Sequence, residues 1–334
     1  MRIGLVLGAG GILGSAWQTG LLAALAQRLD RPLSELDLVL GTSAGSVLGA
    51  ALRCGMGIED LLAYQRGGLP GPHEPADRPE LPDMATIDRE AGNGLPRLPL
   101  PWIGSPRMLI TAAGQPSRIN PVIVASALLP VGRSRMGSLI TMVAALQGRI
   151  GVTPDRWVPG APLWVVAVNY DSGRRVVFGR AGGPPASVGD AVLASCAIPG
   201  WFIPQVIEGH RYVDGGIASS TSVGLLARPG APRLDEVYVL APMASHDYDR
   251  PWDPAIRMER GMRRLLTRWL DAEVRAVRAT GTRVVVLTPG PAELRAMGGN
   301  LMHPRRRAAV LEAALAHAPA LLDRAGAEGR AAAA

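Results

Sequence analysis

Residues 38–50 read LVLGTSAGSVLGA, and the rest of the chain is organised around this segment. A short apolar run ends at Gly41, Ser43 follows, Gly45 comes next, and small and apolar residues continue at helical spacing. The pattern G-x-S-x-G is typical of a serine on a tight turn between a strand and a helix, where bulky neighbours would keep a substrate carbonyl away. Ser43 is therefore the first candidate nucleophile. The alternative is a glycine turn that contains a serine by chance.

The composition favours an α/β domain. The chain has 334 residues, of which 48% are hydrophobic and only 4% aromatic, so its core is built mainly from Ala, Val, Leu and Ile. Such side chains suit helices packed on a parallel sheet. The length allows one large domain or two modest ones, each with a sizeable core.

The charge balance is basic. The formal net charge is +7, and all 35 basic residues are arginine because the sequence has no lysine. A basic surface favours contact with anionic membranes or nucleic acid. No stretch has the pattern of a basic groove interleaved with aromatic residues, so nucleic acid is the weaker option and is not an expected partner. The oligomeric state is left open.

Cysteine usage and hydropathy bear on the compartment. Cys54 and Cys196 have no metal-binding spacing and are expected to be buried free thiols. A strand pattern that begins at residue 3 leaves no room for a signal peptide, and no apolar run reaches 18 residues. A cytoplasmic location is expected, with peripheral contact to an anionic membrane as an open alternative.

A glycine-rich loop follows the first predicted strand. Residues 3–7 are apolar, residues 8–14 read GAGGILG, and an amphipathic helix is expected from Ser15 to Arg28. Dinucleotide binding would need the third glycine one place earlier and an acidic residue after the strand at 37–40. Both are missing. Free N–H groups before a helix can nevertheless stabilise an oxyanion as readily as a phosphate.

The middle of the chain predicts a cap. Residues 67–107 are rich in Pro and Gly, which indicates either a lid over an apolar site or an irregular insertion. Helical spacing returns in 108–150, so we expect a helical, Pro/Gly-rich cap insertion at about 66–155. Further strands are predicted at 163–170, 175–178, 211–214, 237–240 and 284–287, and further helices at 46–54, 58–65, 190–197, 255–279 and 308–334.

The predicted helix at 255–279 has two faces. Met262, Leu265, Leu266, Trp269, Val274 and Val277 share one face by helical spacing, and Arg257, Arg260, Arg263, Arg264, Arg268, Arg275 and Arg278 occupy the other. The basic face is interpreted as solvated. The alternative is a face that lies on a membrane surface.

A serine nucleophile needs a base to take its proton. None of the five histidines stands at a strand end beside glycines, although His210 and His246 remain alternatives; the other three are His73, His303 and His317. Asp214 does stand at a predicted strand end, followed by Gly215 and Gly216. A carboxylate in that setting can act as the base directly when partial burial raises its pKa.

Three motifs in this order resemble the patatin-like phospholipase family: the glycine loop at 10–14, the serine motif at 41–45 and the Asp-Gly-Gly at 214–216. Residues 194–200, ASCAIPG, also look like that family's lead-in to the Asp-Gly-Gly. The resemblance spans about residues 1–245. It implies an α/β fold, a three-layer α/β/α sandwich with a mostly parallel central sheet, related to cytosolic phospholipase A2. We expect residues 1–290 to form the domain and residues 291–334 to form a C-terminal helical extension.

The resemblance also implies an activity and its residues. Lipid acyl esters are hydrolysed by a Ser–Asp dyad, with phospholipase A, lysophospholipase or esterase specificity. Ser43 would form an acyl-enzyme, Asp214 would be the general base, and the N–H groups of Gly10, Gly11 and Ile12 would form the oxyanion hole. The supporting motif glycines are Gly14, Gly41, Gly45, Gly215 and Gly216. No metal or cofactor is implied.

Two departures from the family pattern keep alternatives open. Leu13 stands where the family commonly has Arg or Lys, and we expect the missing charge to lower activity without abolishing it. Residues 219–222, SSTS, stand where Asn and Pro are frequent. A non-catalytic lipid-binding or regulatory protein with the same fold is one alternative. Acyl transfer to an alcohol or thiol is another.

Overall fold

The computed structural model describes residues 1–68, 81–98, 100–114 and 119–331. Within them, eight strands form one sheet in the order β5-β6-β3-β2-β1-β7-β8, with β4 also paired to β3. The strands are β1 Ile3–Leu7, β2 Leu38–Thr42, β3 Leu163–Asn169, β4 Arg175–Phe178, β5 Gln205–Ile207, β6 His210–Asp214, β7 Glu236–Leu240 and β8 Arg283–Leu287.

The sheet is mostly parallel, as predicted. Strands β3, β2, β1, β7 and β8 run parallel to one another, whereas β4 and β6 pair antiparallel with β3, and β5 pairs antiparallel with β6. Every residue of β1, β2 and β7 is buried. Strands buried on both faces carry continuous apolar runs, and these runs predict the strands from the sequence.

Helices cover both faces of the sheet. Those in the described part of the chain are α1 Gly11–Arg28, α2 Ala44–Arg53, α3 Ile58–Gln65, α4 Met84–Glu90, α5 Pro106–Gly114, α6 Pro121–Leu128, α7 Gly137–Arg149, α8 Val188–Cys196, α9 Pro254–Arg278, α10 Pro291–Met297 and α11 Arg307–Ala331. Leu5 and Leu7 of β1 pack with α1, α2, α7, α8 and α11, whereas Val6 packs with α9 and a 3-10 turn. The result is the expected three-layer α/β/α sandwich.

Both helices at the candidate site start earlier than predicted. Helix α1 begins at Gly11 rather than Ser15, and α2 begins at Ala44 rather than Ser46. Glycine and serine are weak helix formers, so propensity alone places these boundaries too late. The second half of the predicted glycine loop is therefore the first turn of α1, and Ser43 is the residue before α2.

The expectation of an irregular segment at 67–107 is wrong in part. Helix α4 lies within it and begins after Asp83, whose carboxylate accepts a hydrogen bond from the N–H of Thr86 at 2.6 Å. Helices α5, α6 and α7 complete the cap, and the hydroxyl of Tyr170 donates to the carbonyl of Ser126 at 2.8 Å, which ties α6 to the end of β3. Residues 69–80, 99 and 115–118, including His73, lie outside the described residues.

Helix α9 departs from its predicted two faces. Met262 and Leu265 are exposed, whereas Arg260 and Arg263 are each only 1% exposed. Arg260 binds Asp249 at 2.7 Å and also Glu259, which binds Arg263 at 2.7 Å as well. Buried guanidinium groups need such partners. The basic face is thus only partly solvated, because the carboxylate of Asp249, which lies in the segment before α9, compensates one of its charges.

The last helix belongs to the same core as the sheet. Leu311, Ala314 and Leu322 of α11 are buried together with residues of α1 and β8. The division of the chain at residue 290 remains a prediction, and residues 332–334 lie outside the described residues.

Candidate active site

Ser43 occupies a strained turn between β2 and α2. Its backbone angles are φ 53° and ψ −123°, a region that residues with a side chain rarely adopt. A Cβ atom on Gly45 would overlap the carbonyl oxygen of Leu7, and one on Gly41 would overlap the backbone of Ser46. The two glycines therefore allow β1, β2 and α2 to approach closely, and Ser43 lies at the point where they meet.

Ser195 supports this turn from a distant part of the chain. Its side chain is fully buried at the end of α8. Its Oγ accepts the backbone N–H of Ser43 at 2.8 Å and donates to the carbonyl of Val166 at 2.6 Å. Residues 194–200 stand out in the sequence only through the family resemblance, and no local pattern predicts a contact for Ser195.

Asp214 lies at the end of β6, opposite Ala167 of β3. It is 4% exposed, and its Oδ1 accepts the N–H of Gly216 at 2.7 Å. Burial raises the pKa of Asp214 to about 6, against the lowering effect of hydrogen bonds from the Ser43 side chain and the Gly216 backbone. The fold thus brings the turns that carry Ser43 and Asp214, which are far apart in sequence, into contact: a Cβ atom on Gly215 would lie 3.1 Å from the side chain of Thr42.

The glycine loop places free donors beside this pair. Backbone donors with protein acceptors are Gly8 to Leu240 at 2.9 Å, Ala9 to Ser220 at 2.7 Å, Leu13 to Leu301 at 2.9 Å and Gly14 to Gly10 at 2.8 Å. In the described parts of the chain, the N–H groups of Gly10, Gly11 and Ile12 have no protein acceptor. Gly11 and Ile12 line the same cavity as Ser43. These are the three donors predicted for the oxyanion hole, and that role stays a prediction.

Position 11 requires a glycine for steric reasons. Its φ is +58°, and a Cβ atom there would press against the side chain of Met302. The neighbouring Asp-Gly-Gly turn packs on the same loop, because a Cβ atom on Gly216 would lie 3.1 Å from that of Ala9. The three sequence motifs therefore meet in one place.

Leu13 points into the core rather than toward the cavity. Its side chain is fully buried in the main hydrophobic cluster with residues such as Trp17 and Leu21. The cavity lining includes Gly11 and Ile12 but not Leu13. An Arg or Lys at this position would have to place its charge in an apolar environment, which is costly without a partner. The expected effect of the missing charge on activity remains a prediction.

An apolar cavity of about 150 Å³ lies against Ser43. Its wall comes from α1, α2, α3, α4, α7 and the end of α8, and it includes five methionines, namely Met56, Met84, Met136, Met142 and Met302. Methionine side chains are flexible and adapt to irregular apolar ligands. Glu90 also lines the cavity, and it accepts hydrogen bonds from the N–H and the hydroxyl of Ser138 at 2.8 and 2.6 Å.

The two cysteines are free but differ in exposure. Cys54 is buried, and burial raises its pKa to about 12. Cys196 is partly exposed, which corrects the expectation that both are buried, because it lines the cavity beside Ser43. Burial of its thiol and the charge of Asp214 hold its pKa well above the usual value. Both thiols therefore remain protonated near neutral pH.

The histidines of the described residues lie elsewhere. The Nε2 atom of His246 is 2.9 Å from Asp271 at the surface, and His210 is exposed on β6. Among the described residues, no histidine forms a hydrogen bond with Ser43 or Asp214.

The same residues contain no group of three or more His, Cys, Asp or Glu placed to hold a metal ion. None of the helices described above is long and apolar enough to cross a bilayer.

The site of this three-layer α/β/α sandwich combines a serine on a strained turn with a buried carboxylate beside it. N–H groups that have no acceptor among the described residues face an apolar cavity next to the serine. This arrangement suits acyl transfer chemistry. The chain belongs to the patatin-like phospholipase family, whose family model matches residues 5–102 and 117–227. Membership of this family supports lipid hydrolase activity.

Two solved structures align with most of this chain. VipD from Legionella pneumophila matches with 14% identity and a TM-score of 0.44, over 97% of this chain and 67% of VipD. The type III effector protein ExoU matches with 17% identity and a TM-score of 0.37, over 97% of this chain and 53% of ExoU. This chain therefore spans about half the length of ExoU. Similarity at this level does not bear on substrate.

Proposed function

We propose that this protein hydrolyses acyl esters of lipids with Ser43 as nucleophile and Asp214 as general base. The observation that carries the proposal is the position of Asp214: it is buried, and the next residue, Gly215, packs against Thr42, the residue before Ser43. Burial raises the pKa of Asp214 to about 6. A carboxylate of this kind is ionised at neutral pH yet is basic enough to accept a proton during the reaction. No histidine is needed for this step.

The first half of the reaction forms an acyl-enzyme. Asp214 takes the proton of the Ser43 hydroxyl as Oγ attacks the ester carbonyl carbon. The resulting tetrahedral oxyanion faces the free N–H groups of Gly10, Gly11 and Ile12. The carbon–oxygen bond to the alcohol then breaks, and the proton held by Asp214 passes to the departing alkoxide.

The second half releases the fatty acid. Asp214, again ionised, takes a proton from water as the water oxygen attacks the acyl carbonyl. The second oxyanion collapses, the bond to Ser43 Oγ breaks, and the proton returns to that oxygen. The raised pKa of Asp214 suits both directions of proton transfer.

The cavity supports an acyl chain as the group that is bound. Its wall is almost entirely apolar, and Ser43 lies at its edge. Burial of each methylene of a chain stabilises the complex by about 0.8 kcal/mol. The geometry is compatible with phospholipase A, lysophospholipase or simple esterase specificity, which differ in the alcohol that leaves.

Labelling with a fluorophosphonate tests the nucleophile and its activation together. The wild-type protein should be labelled on the peptide that contains Ser43 and should hydrolyse p-nitrophenyl butyrate. Ser43→Ala should lose both properties, and Asp214→Asn should lower both by at least about 100-fold. Ser34→Ala, at a half-buried serine whose hydroxyl forms no hydrogen bond among the described residues, is the matched control. Labelling of another residue, or full activity in Ser43→Ala, would refute the proposal.

A further inference from the structure

Exposed apolar side chains concentrate on one side of the cap. They lie on segments 95–98, 100–103, 128–135 and 201–203, which we name the cap face. Leu98 is 86% exposed and Trp102 71% exposed, and Leu95, Leu128 and Ile103 are exposed as well. Most apolar residues of this size are buried in a protein that functions alone in water.

Backbone hydrogen bonds hold three of these segments, 100–103, 128–135 and 201–203, side by side. The N–H of Leu100 donates to Val131 at 3.0 Å, and the N–H of Val131 donates to Trp102 at 3.0 Å. The N–H of Ile203 donates to Ser134 at 3.1 Å. The exposed side chains of these three segments are therefore neighbours on one surface, and segment 95–98 lies just before the first of them in the chain.

The cap face is also positively charged. Residues 91–154 contain six arginines and no Asp or Glu. Arg97, Arg133 and Arg135 are exposed on the face, and within the described ranges none of them has an ion pair or a side-chain hydrogen bond. Arg28 and Arg66 elsewhere on the surface pair with carboxylates, whereas Arg257, Arg268 and Arg275 of α9 resemble the cap-face arginines in having no ion pair within the described ranges. The cap face thus combines apolar surface with uncompensated positive charge.

The cap face borders the cavity. Met136, which follows Arg135, lines the cavity, as does Phe202 of segment 201–203. The indole N–H of Trp201 donates to the carbonyl of Ala91, another cavity residue, at 3.1 Å. A surface bound to the cap face would therefore lie close to the space that leads to Ser43.

We propose that the cap face binds the surface of an anionic lipid bilayer. Trp102 and Leu98 enter the boundary between headgroups and acyl chains, and the three arginines lie over lipid phosphates. A symmetric dimer through this face would bring the same positive charges together, which is unfavourable. An apolar, positively charged face matches a bilayer whose surface is anionic and whose interior is apolar. The benefit for turnover rests on the proposed function, because binding would place the cavity against its substrate.

Vesicle flotation tests the charge. The Ser43→Ala protein, which leaves the lipids intact, should bind vesicles of phosphatidylcholine with 30% phosphatidylglycerol at least about tenfold more strongly than vesicles of phosphatidylcholine alone. Charge reversal by Arg97→Glu, Arg133→Glu and Arg135→Glu should remove this preference. The matched control is Arg257→Glu, Arg268→Glu and Arg275→Glu, which makes the same charge change at exposed positions of α9. Equal loss in both triple variants, or loss only in the α9 variant, would overturn the proposal.

Quenching by brominated lipids tests insertion. Trp102→Phe should remove most of the quenching that vesicles cause in the wild-type protein. Trp252→Phe, at a residue that is 97% exposed near the start of α9, should leave it unchanged. The proposal would be overturned if the quenching survived in Trp102→Phe. It would also be overturned if the protein formed a concentration-dependent dimer that Trp102→Glu abolished without any effect on vesicle binding.

Soluble ester hydrolysis separates this proposal from the proposed function. The Arg97, Arg133 and Arg135 triple variant should cleave p-nitrophenyl butyrate at the wild-type rate, since that substrate needs no surface. If Ser43 fails to react with a fluorophosphonate while the cap face still binds anionic vesicles, the proposed function falls and the docking surface stands. If the enzyme is active but binds neutral and anionic vesicles equally, the docking surface falls alone.

Discussion

The side-chain oxygen of Ser195 lies 2.8 Å from the backbone nitrogen of Ser43 and accepts its N–H, although 152 residues separate the two serines. The same oxygen donates to the carbonyl of Val166 at 2.6 Å. Ser43 holds a backbone conformation that costs about 1–3 kcal/mol and persists only when its surroundings impose it. Ser195 is thus part of what keeps the candidate nucleophile in place.

Replacement of Ser195 by Ala should lower kcat by at least about tenfold and leave KM within about threefold. The variant leaves the N–H of Ser43 and the carbonyl of Val166 without this partner, which should also cost about 1–3 kcal/mol of stability. Ester hydrolysis and urea unfolding measure the two effects. The control is Ser126→Ala, which removes another buried hydroxyl that donates one hydrogen bond, to the carbonyl of Ile123 at 2.7 Å. This variant should lower the stability but not kcat. A similar fall in kcat in that control would show that the effect of Ser195 is general destabilisation.

The rate should depend on pH through Asp214. Its carboxylate must be ionised to take the proton of Ser43, and its pKa is raised to about 6 by burial. We therefore expect kcat/KM to rise about tenfold per pH unit below pH 6 and to level off above it. Hydrolysis of p-nitrophenyl butyrate between pH 4.5 and 8 measures this profile. A midpoint near 4 would mean that an unperturbed carboxylate, and not Asp214, controls the rate.

Asp214→Asn should make the protein more stable at neutral pH. Because the pKa of Asp214 is raised from 3.8 to about 6, the folded state binds more protons than the unfolded state between these values. The free energy of unfolding of the wild type therefore falls as pH rises through this window, by up to about 3 kcal/mol for a shift of roughly two units. The amide avoids this cost and can still accept the N–H of Gly216.

Urea unfolding at several pH values checks the prediction. The gain from Asp214→Asn should be about 1–3 kcal/mol at pH 7.5 and should fade as pH falls from 6 to 4. Asp30→Asn, at an exposed aspartate, is the control and should change stability by less than about 0.5 kcal/mol at every pH. A constant gain across the range would contradict the raised pKa.

Ala51→Leu should shorten the acyl chain that the enzyme accepts. Ala51 lies on α2 and lines the cavity beside Leu48 and Met142. A leucine there fills space that the distal methylenes of a chain would occupy, so KM for a decanoate ester should rise at least about fivefold while that for a butyrate ester stays nearly constant. Steady-state kinetics with both p-nitrophenyl esters measure the change. Ala26→Leu, on α1 away from the cavity, is the control and should alter neither KM. An equal rise in KM for both esters in Ala51→Leu would exclude an acyl site at this wall.

Leu13→Arg should destabilise the protein rather than activate it. The fully buried position requires the guanidinium to lose its hydration, which should cost roughly 3 kcal/mol or more. Leu13→Met keeps volume and polarity and should cost less than about 1.5 kcal/mol. Urea unfolding and ester hydrolysis measure both variants. An arginine variant that is stable and more active would show that this side chain can reach the oxyanion loop after all.

The elements around the candidate site could be predicted to different extents. Strands β1, β2 and β3 carry continuous apolar runs, so their sequences indicate them clearly. Helix α4 was missed because it is short and lies in a Pro-rich region, with Asp83 as its main local signal. The burial of Arg260 could not be predicted either, since helical spacing says nothing of the carboxylate of Asp249.

The sequence by itself determined the candidates: a serine between two glycines, an aspartate before two glycines, and a glycine loop after the first strand. These are local patterns, and local steric rules suffice to recognise them. Only the tertiary structure decided that Asp214 is buried beside Ser43 and that Ser195 supports the turn. It also decided that three N–H groups of the glycine loop lack an acceptor among the described residues. Each of these depends on which strand and helix ends meet at one edge of the sheet. Burial and hydrogen bonding between distant segments are therefore properties of the packed chain, which no local pattern contains.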